Sequence, residues 1–228
     1  MSESSKTAGI VVAVVMLLVG LGAGYGIGKS NSNSGNSNNS SSNSSKPDAS
    51  TKAADLRANL VTLGVEHMNL TAQTVDSTLD GNKNAQAFGT VLYANGTNLG
   101  AAVGSIYGKD AETTFNQVWK LHLDQFVAYA GASSKGDEAG KTAALTSIDT
   151  NYTKPLAQYL AKANPNLPEA TLESALREHV NMTAKMIDDH VQGNYTAEAS
   201  ELTMANKHIE GLMSVLAGGI VKQYPDKF

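Results

Sequence analysis

The chain has no cysteine, so disulfides, thiolate metal sites and cysteine nucleophiles are excluded. Its candidate chemistry rests on five histidines and seven methionines. Four of the histidines fall on apolar seams with helical spacing. His67 lies between Leu63 and Leu70, and His122 lies in the series Phe115, Trp119, His122, Phe126, Tyr129. His179 follows Leu172 and Leu176 and precedes Thr183 and Met186, while His208 sits among Ala205, Leu212 and Val215. His190, at the end of a helix, reads as exposed. A buried imidazole needs a hydrogen-bond partner or a metal. Met182 and Met186 share the face of His179, and Met204 precedes His208 by one turn. Mixed imidazole and thioether ligands suit copper, above all the reduced ion. The metal-ligand candidates are therefore His67, His122, His179, Met182, Met186, Met204 and His208. A hairpin around Gly193 would face His179 against His208, with the three methionines alongside. The competing reading is that these histidines are core residues and the methionines fill gaps in the packing.

Other chemistry is poorly supported. Glu66–His67 and Glu178–His179 are helix neighbours, and adjacent residues diverge by about 100°, so the Glu does not orient its His. No Ser/His/Asp signature appears, and no Glu-x-x-His pair suggests a di-iron site. Two segments imitate a phosphate-binding loop. "AGYGIGKS" at 23–30 has Ala23 where the first glycine is required and is followed by a Ser/Asn run; "GDEAGKT" at 136–142 has its glycines four apart. Nucleotide binding is rejected at both. Net charge is −4 with no basic run, which removes nucleic acid as a partner.

The elements that must position the histidines follow from composition. Residues 1–7 form a short polar tail, and 8–28 is an uncharged apolar run long enough for a transmembrane helix at about 1.5 Å per residue. No A-x-A-like cleavage site follows it, so an uncleaved anchor in the lipid bilayer is expected. Gly20, Gly24 and Gly28 form a small-residue ridge that suits homodimer pairing in the membrane. Residues 29–51 are a Ser/Asn-rich flexible linker. From residue 52 to 228 the apolar period is helical, with no sustained alternation of period two. The spacing predicts an all-α bundle of about six helices: 52–80, 84–106, 110–133, 137–162 (broken near Pro155), 168–192 and 195–223.

The chain also repeats itself. "EHMNLTAQTVDSTLDG" at 66–81 and "EHVNMTAKMIDDHVQG" at 178–193 share seven of sixteen positions. A fainter third copy is centred on His122, 55 residues after His67 and 57 before His179. The bundle therefore reads as three repeated helical hairpins, each with a histidine on its first helix. Sequons at Asn69, Asn95, Asn151, Asn181 and Asn194 lie within it.

The segments "LREHVNMTAKMID", "SIYGKDAETTFNQVWKLHLDQFVAYA", "LAKANPNLPEATL" and "GGIVKQYPDKF" resemble a repeated helical domain of poorly characterised secreted or membrane-anchored bacterial proteins, some called copper amine oxidase-like. The resemblance spans roughly residues 55–228 and implies helical hairpins and an extracytoplasmic location. It does not imply amine oxidase chemistry, which belongs to a much larger, largely β, topaquinone-bearing fold.

The expectation is a non-enzymatic, membrane-anchored extracytoplasmic binding or sensing module that takes a metal ion, with copper as candidate cofactor, or a small ligand. The alternative is a structural spacer or envelope interaction protein without a ligand. If the anchor and outward orientation hold, protease added to intact cells removes the bundle; a fully protected bundle refutes both.

Overall fold

Thr51 ends the linker by capping the first helix: its side-chain oxygen accepts from the Ala54 amide at 3.1 Å. A computed structural model describes residues 51–228. They form α1 (Lys52–Leu79), α2 (Ala85–Tyr107), α3 (Lys109–Ser133), α4 (Glu138–Ile148), α5 (Lys154–Ala163), α6 (Glu169–Val191) and α7 (Tyr195–Gln223). A single π-turn, Asp149–Thr153, joins α4 to α5, and a 3-10 turn, Pro225–Lys227, follows α7. No strand occurs among the described residues, so the class is all-α. The expected transmembrane segment at 8–28, its glycine ridge and the linker up to residue 50 lie outside the described residues. Among those described, no helix is long and apolar enough to cross a membrane.

Successive helices pack on one another, except that α4 continues through the π-turn into α5, and α7 returns to α1 to close the bundle. The helices that carry the repeated histidines, α1, α3 and α6, also contact one another pairwise. Three hairpin turns share one geometry. Gly81, Gly136 and Gly193 adopt φ of 68°, 65° and 75°, a left-handed conformation that costs glycine little. In each, the amide after the glycine bonds the carbonyl four residues before it: Asn82 to Ser77, Asp137 to Ala132 and Asn194 to Asp189. Each of His67, His122 and His179 stands 14 residues before its turn glycine. Identical turns thus place the three imidazoles at one height.

The break expected near Pro155 is a π-turn instead. Proline lacks an amide and crowds the preceding turn. The chain absorbs this just upstream, where the Lys154 amide reaches back five residues to the Asp149 carbonyl. The wider turn carries Tyr152 into the core, where it is 2% exposed.

Trp119 enters the core because Gly96 leaves room for it. A Cβ on Gly96 would lie 2.6 Å from the indole ring. Helix propensity alone favours alanine by about 1 kcal/mol, but the clash costs roughly 1–3 kcal/mol and the indole cannot bend away. Gly96→Ala is therefore expected to lower the thermal midpoint by a few degrees, read by circular dichroism; a raised midpoint would show that the core yields here.

Candidate functional site

The seam on α3 places His122 in the centre of the bundle, fully buried at 0% exposure. Its ring stacks on Tyr152 at 4.3 Å and meets Trp119 edge-on at 4.5 Å. His67 from α1 and His179 from α6 close on it. The His67 centroid is 5.6 Å from that of His122 and 5.9 Å from that of His179. One ring nitrogen from each lies within 4.8 Å of the other two. The repeat has gathered its three histidines at one point.

These nitrogens are short of partners. Nδ1 of His67, Nδ1 of His179 and both nitrogens of His122 are buried without a hydrogen bond. The usual local solution fails because Thr71 and Thr183 donate to the carbonyls of His67 and His179 and leave the rings unserved. Burial, with the neighbouring imidazole of His179, lowers the pKa of His67 to about 3. Burial, with His208 nearby, lowers that of His179 to about 4. His122 is held well below the ordinary imidazole range by burial first, then by His67 and His179. All three rings are neutral at physiological pH.

The trio borders a cavity of about 60 Å³ whose walls include Thr71, Thr74, Leu92, Tyr93 and Phe126. One water needs only about 10–15 Å³ by this measure. Among the described residues, no carboxylate lines the cavity. Thr74 Oγ1 is also buried without a partner, on the same wall.

The other sequence candidates lie elsewhere. His208 is half-buried, and its Nε2 donates to the Ala175 carbonyl at 2.9 Å. It stands beside His179 across the α6–α7 hairpin, but a backbone group occupies it. Met204 is 49% exposed. Met186 is fully buried and Met182 half-buried, packed against the apolar core. The buried stripe of α7 runs through Ala205, Ile209, Leu212, Met213 and Ala217, which puts His208 at its margin and leaves Val215 exposed.

His190 departs from its expected exposure: it is 8% exposed, enclosed by carboxylates from α1 and α7. Its Nδ1 lies 3.2 Å from Asp76 Oδ1 and 3.1 Å from Glu198 Oε1, and its Nε2 3.3 Å from Asp80 Oδ1. Burial and the adjoining Glu198 raise the Asp76 pKa to about 7. Burial alone would discharge His190, but Glu198, Asp76 and Asp80 outweigh it and raise its pKa. Its position in the last turn of a helix suggested exposure because nothing local in the sequence shows that two other helix ends converge there. Asn95 was likewise read as a sequon, yet it is 2% exposed, with Nδ2 donating to the Leu63 carbonyl and Glu66.

No protein-family model, curated protein or solved structure matches the chain. The site is read from its geometry.

The neutral trio gives the metal-free chain a defined pH response. The folded pKa values lie below the unfolded 6.5, so between about 4 and 6.5 the unfolded state binds more protons. This contribution to stability is complete above pH 6.5 and is lost as pH falls toward 4. Asp76 acts oppositely: its folded pKa of about 7 exceeds the ordinary 3.8, so stability is lost as pH rises across that interval. The stability difference between wild type and His67→Leu isolates the first effect. In denaturant titrations it should shift against wild type by a few kcal/mol between pH 7.5 and 4.5, at about 1.4 kcal/mol per unit of pKa separation. A pH-independent difference would mean that His67 is solvated.

Proposed function

We propose that this chain binds a copper(I) ion through His67, His122 and His179, as a non-enzymatic module held at the outer face of a membrane by residues 8–28. The observation that carries the reading is the meeting of three neutral imidazoles, one from each hairpin, with ring nitrogens that have no protein partner. A purely structural core gains nothing from such a trio, because each orphaned nitrogen costs about 1–3 kcal/mol.

The charge of the ion follows from the surroundings. The cost of burying an ion grows with the square of its charge, so a dication costs about four times as much as a monocation in the same buried site. Among the described residues, no carboxylate lines the cavity to offset it. Three neutral nitrogens in an apolar pocket therefore favour Cu(I) over Zn²⁺ or Cu²⁺. A trigonal ion with bonds of about 2.0 Å holds its ligands about 3.5 Å apart. The nitrogens now lie within 4.8 Å, so rotation of the rings by roughly 1 Å completes the set. Thioethers are not needed, and Met204 is exposed.

The three hairpins read as copies of one unit in which the histidine is the shared functional position. The alternative, a spacer with no ligand, draws support from the aromatic packing of Trp119 and Tyr152 around His122.

Anaerobic competition against a chromophoric Cu(I) chelator distinguishes the two. The full chain should take up one Cu(I). His122→Phe, which suits the aromatic wall, should lower affinity at least about 100-fold while the metal-free protein melts at the same or a higher temperature. His208→Ala and Met204→Ala should bind as wild type does. Absence of one-to-one uptake, or unchanged affinity in His122→Phe, leaves the trio as core.

A further inference from the structure

The three equivalent hairpin turns offer an internal comparison. In each hairpin one residue stands five before the turn glycine and another five after it. The pairs are Asp76 and Gln86, Gly131 and Lys141, and Asp188 and Glu198. At two junctions the position after one turn meets the position before the turn of another hairpin. Lys141 of the second hairpin thus lies 3.0 Å from Asp188 of the third, an ordinary ion pair. Glu198 of the third hairpin meets Asp76 of the first, within 4.8 Å. Here the register that supplied a lysine supplies a second acid. Among the described residues, no Lys or Arg pairs with Asp76, Asp80 or Glu198; their charged neighbour is His190. The remaining positions, Gln86 and Gly131, carry no charge.

We propose that Asp76, Glu198 and His190 form a second metal site, for a divalent cation of the Mn²⁺ class, that adds positive charge where three carboxylates face a single histidine. The donor geometry is suitable. His190 Nδ1 stands 3.2 Å from Asp76 Oδ1 and 3.1 and 3.2 Å from the two Glu198 oxygens. An ion with bonds of about 2.0–2.2 Å sets its ligands roughly 3.0–3.5 Å apart, so the two edges to His190 already match, and the third, between Asp76 and Glu198, lies within 4.8 Å. Asp76 Oδ1 is itself buried and turned toward the His190 ring, while the Asp76 side chain as a whole is 37% exposed. The far nitrogen of His190 is held by Asp80 at 3.3 Å, and a carboxylate on that side is what fixes the tautomer and orientation of a metal-bound imidazole. Two carboxylates are hard, anionic donors and, beside one neutral imidazole, select an oxygen-seeking dication over Cu(I).

The site joins the C-terminal ends of α1 and α6 to the N-terminal turn of α7. A bound ion there would clasp the first hairpin to the third, at the seam where α7 closes the bundle on α1. The assignment does not depend on the copper reading, since the two sites share no residue.

The probe is Mn²⁺, which a carboxylate-free imidazole trio does not retain. The full chain is titrated with Mn²⁺ and the free hexaaqua signal is followed by electron paramagnetic resonance. One ion should bind, with affinity unchanged in His122→Phe and weakened at least about 30-fold in Glu198→Gln. Mn²⁺ should also raise the thermal midpoint of wild type. The decisive variant is Glu198→Lys, which copies the second hairpin's solution: it should bind no Mn²⁺ and, in chelator, melt no lower than wild type. Absence of binding at about 1 mM free Mn²⁺, or binding unaltered in Glu198→Gln, overturns the site. A Glu198→Lys protein that melts well below wild type in chelator overturns the charge argument on which it rests.

Discussion

Three imidazoles share a small cavity at the centre of this bundle, and their burial is the constraint to which the surrounding structure answers. Four of their nitrogens lack hydrogen bonds. At about 1–3 kcal/mol each, that is a large fraction of the roughly 5–15 kcal/mol that holds a domain folded. The offset comes from aromatic packing. Trp119 seats in the gap left by Gly96, and Tyr152 is swung inward by the π-turn ahead of Pro155 to stack on His122. Two local irregularities, a helical glycine and a helix defect, thus serve one wall.

Periodicity in the sequence was sufficient for the helices and for most of their faces, though not for Val215, which is exposed. The seam Phe115, Trp119, His122, Phe126, Tyr129 is buried throughout, and each helix boundary lies within one or two residues of its caps. The duplicated letters also carried the register, because each turn glycine fixes the histidine 14 residues upstream. The choice among histidines was not legible. A seam states that a side chain faces inward but not which inward side chains of different helices meet. His208 satisfies the same local pattern as His179, yet it lies at the edge of the buried stripe of α7 and is taken by the Ala175 carbonyl. The cluster around His190 was hidden for the same reason. It depends on the convergence of three helix ends, and its residues lie up to 122 positions apart.

The repeat explains why convergence occurs at all. Copies that share a turn geometry present equivalent positions at equal heights, so a residue useful on one hairpin meets its counterparts when the hairpins pack. Where the copies agree, as at the histidine, three like groups gather. Where they have diverged, as five residues to either side of the turn, the junctions become unlike: an Asp–Lys pair at one and an acid pair at another. Each junction therefore carries its own chemistry on a common backbone.

Separation along the helix keeps these chemistries independent. Asp76 follows His67 by nine residues, which at 1.5 Å per residue is roughly 13 Å along α1. At an effective dielectric near 20, unit charges that far apart interact by only about 1 kcal/mol. The carboxylates around His190 can neither neutralise an ion among the three histidines nor raise the pKa values of those rings into the physiological range. The centre stays neutral, as the copper(I) proposal requires, while the end of the same helix gathers the carboxylates on which the dication proposal rests. A single helix can hold both characters because two and a half turns lie between them.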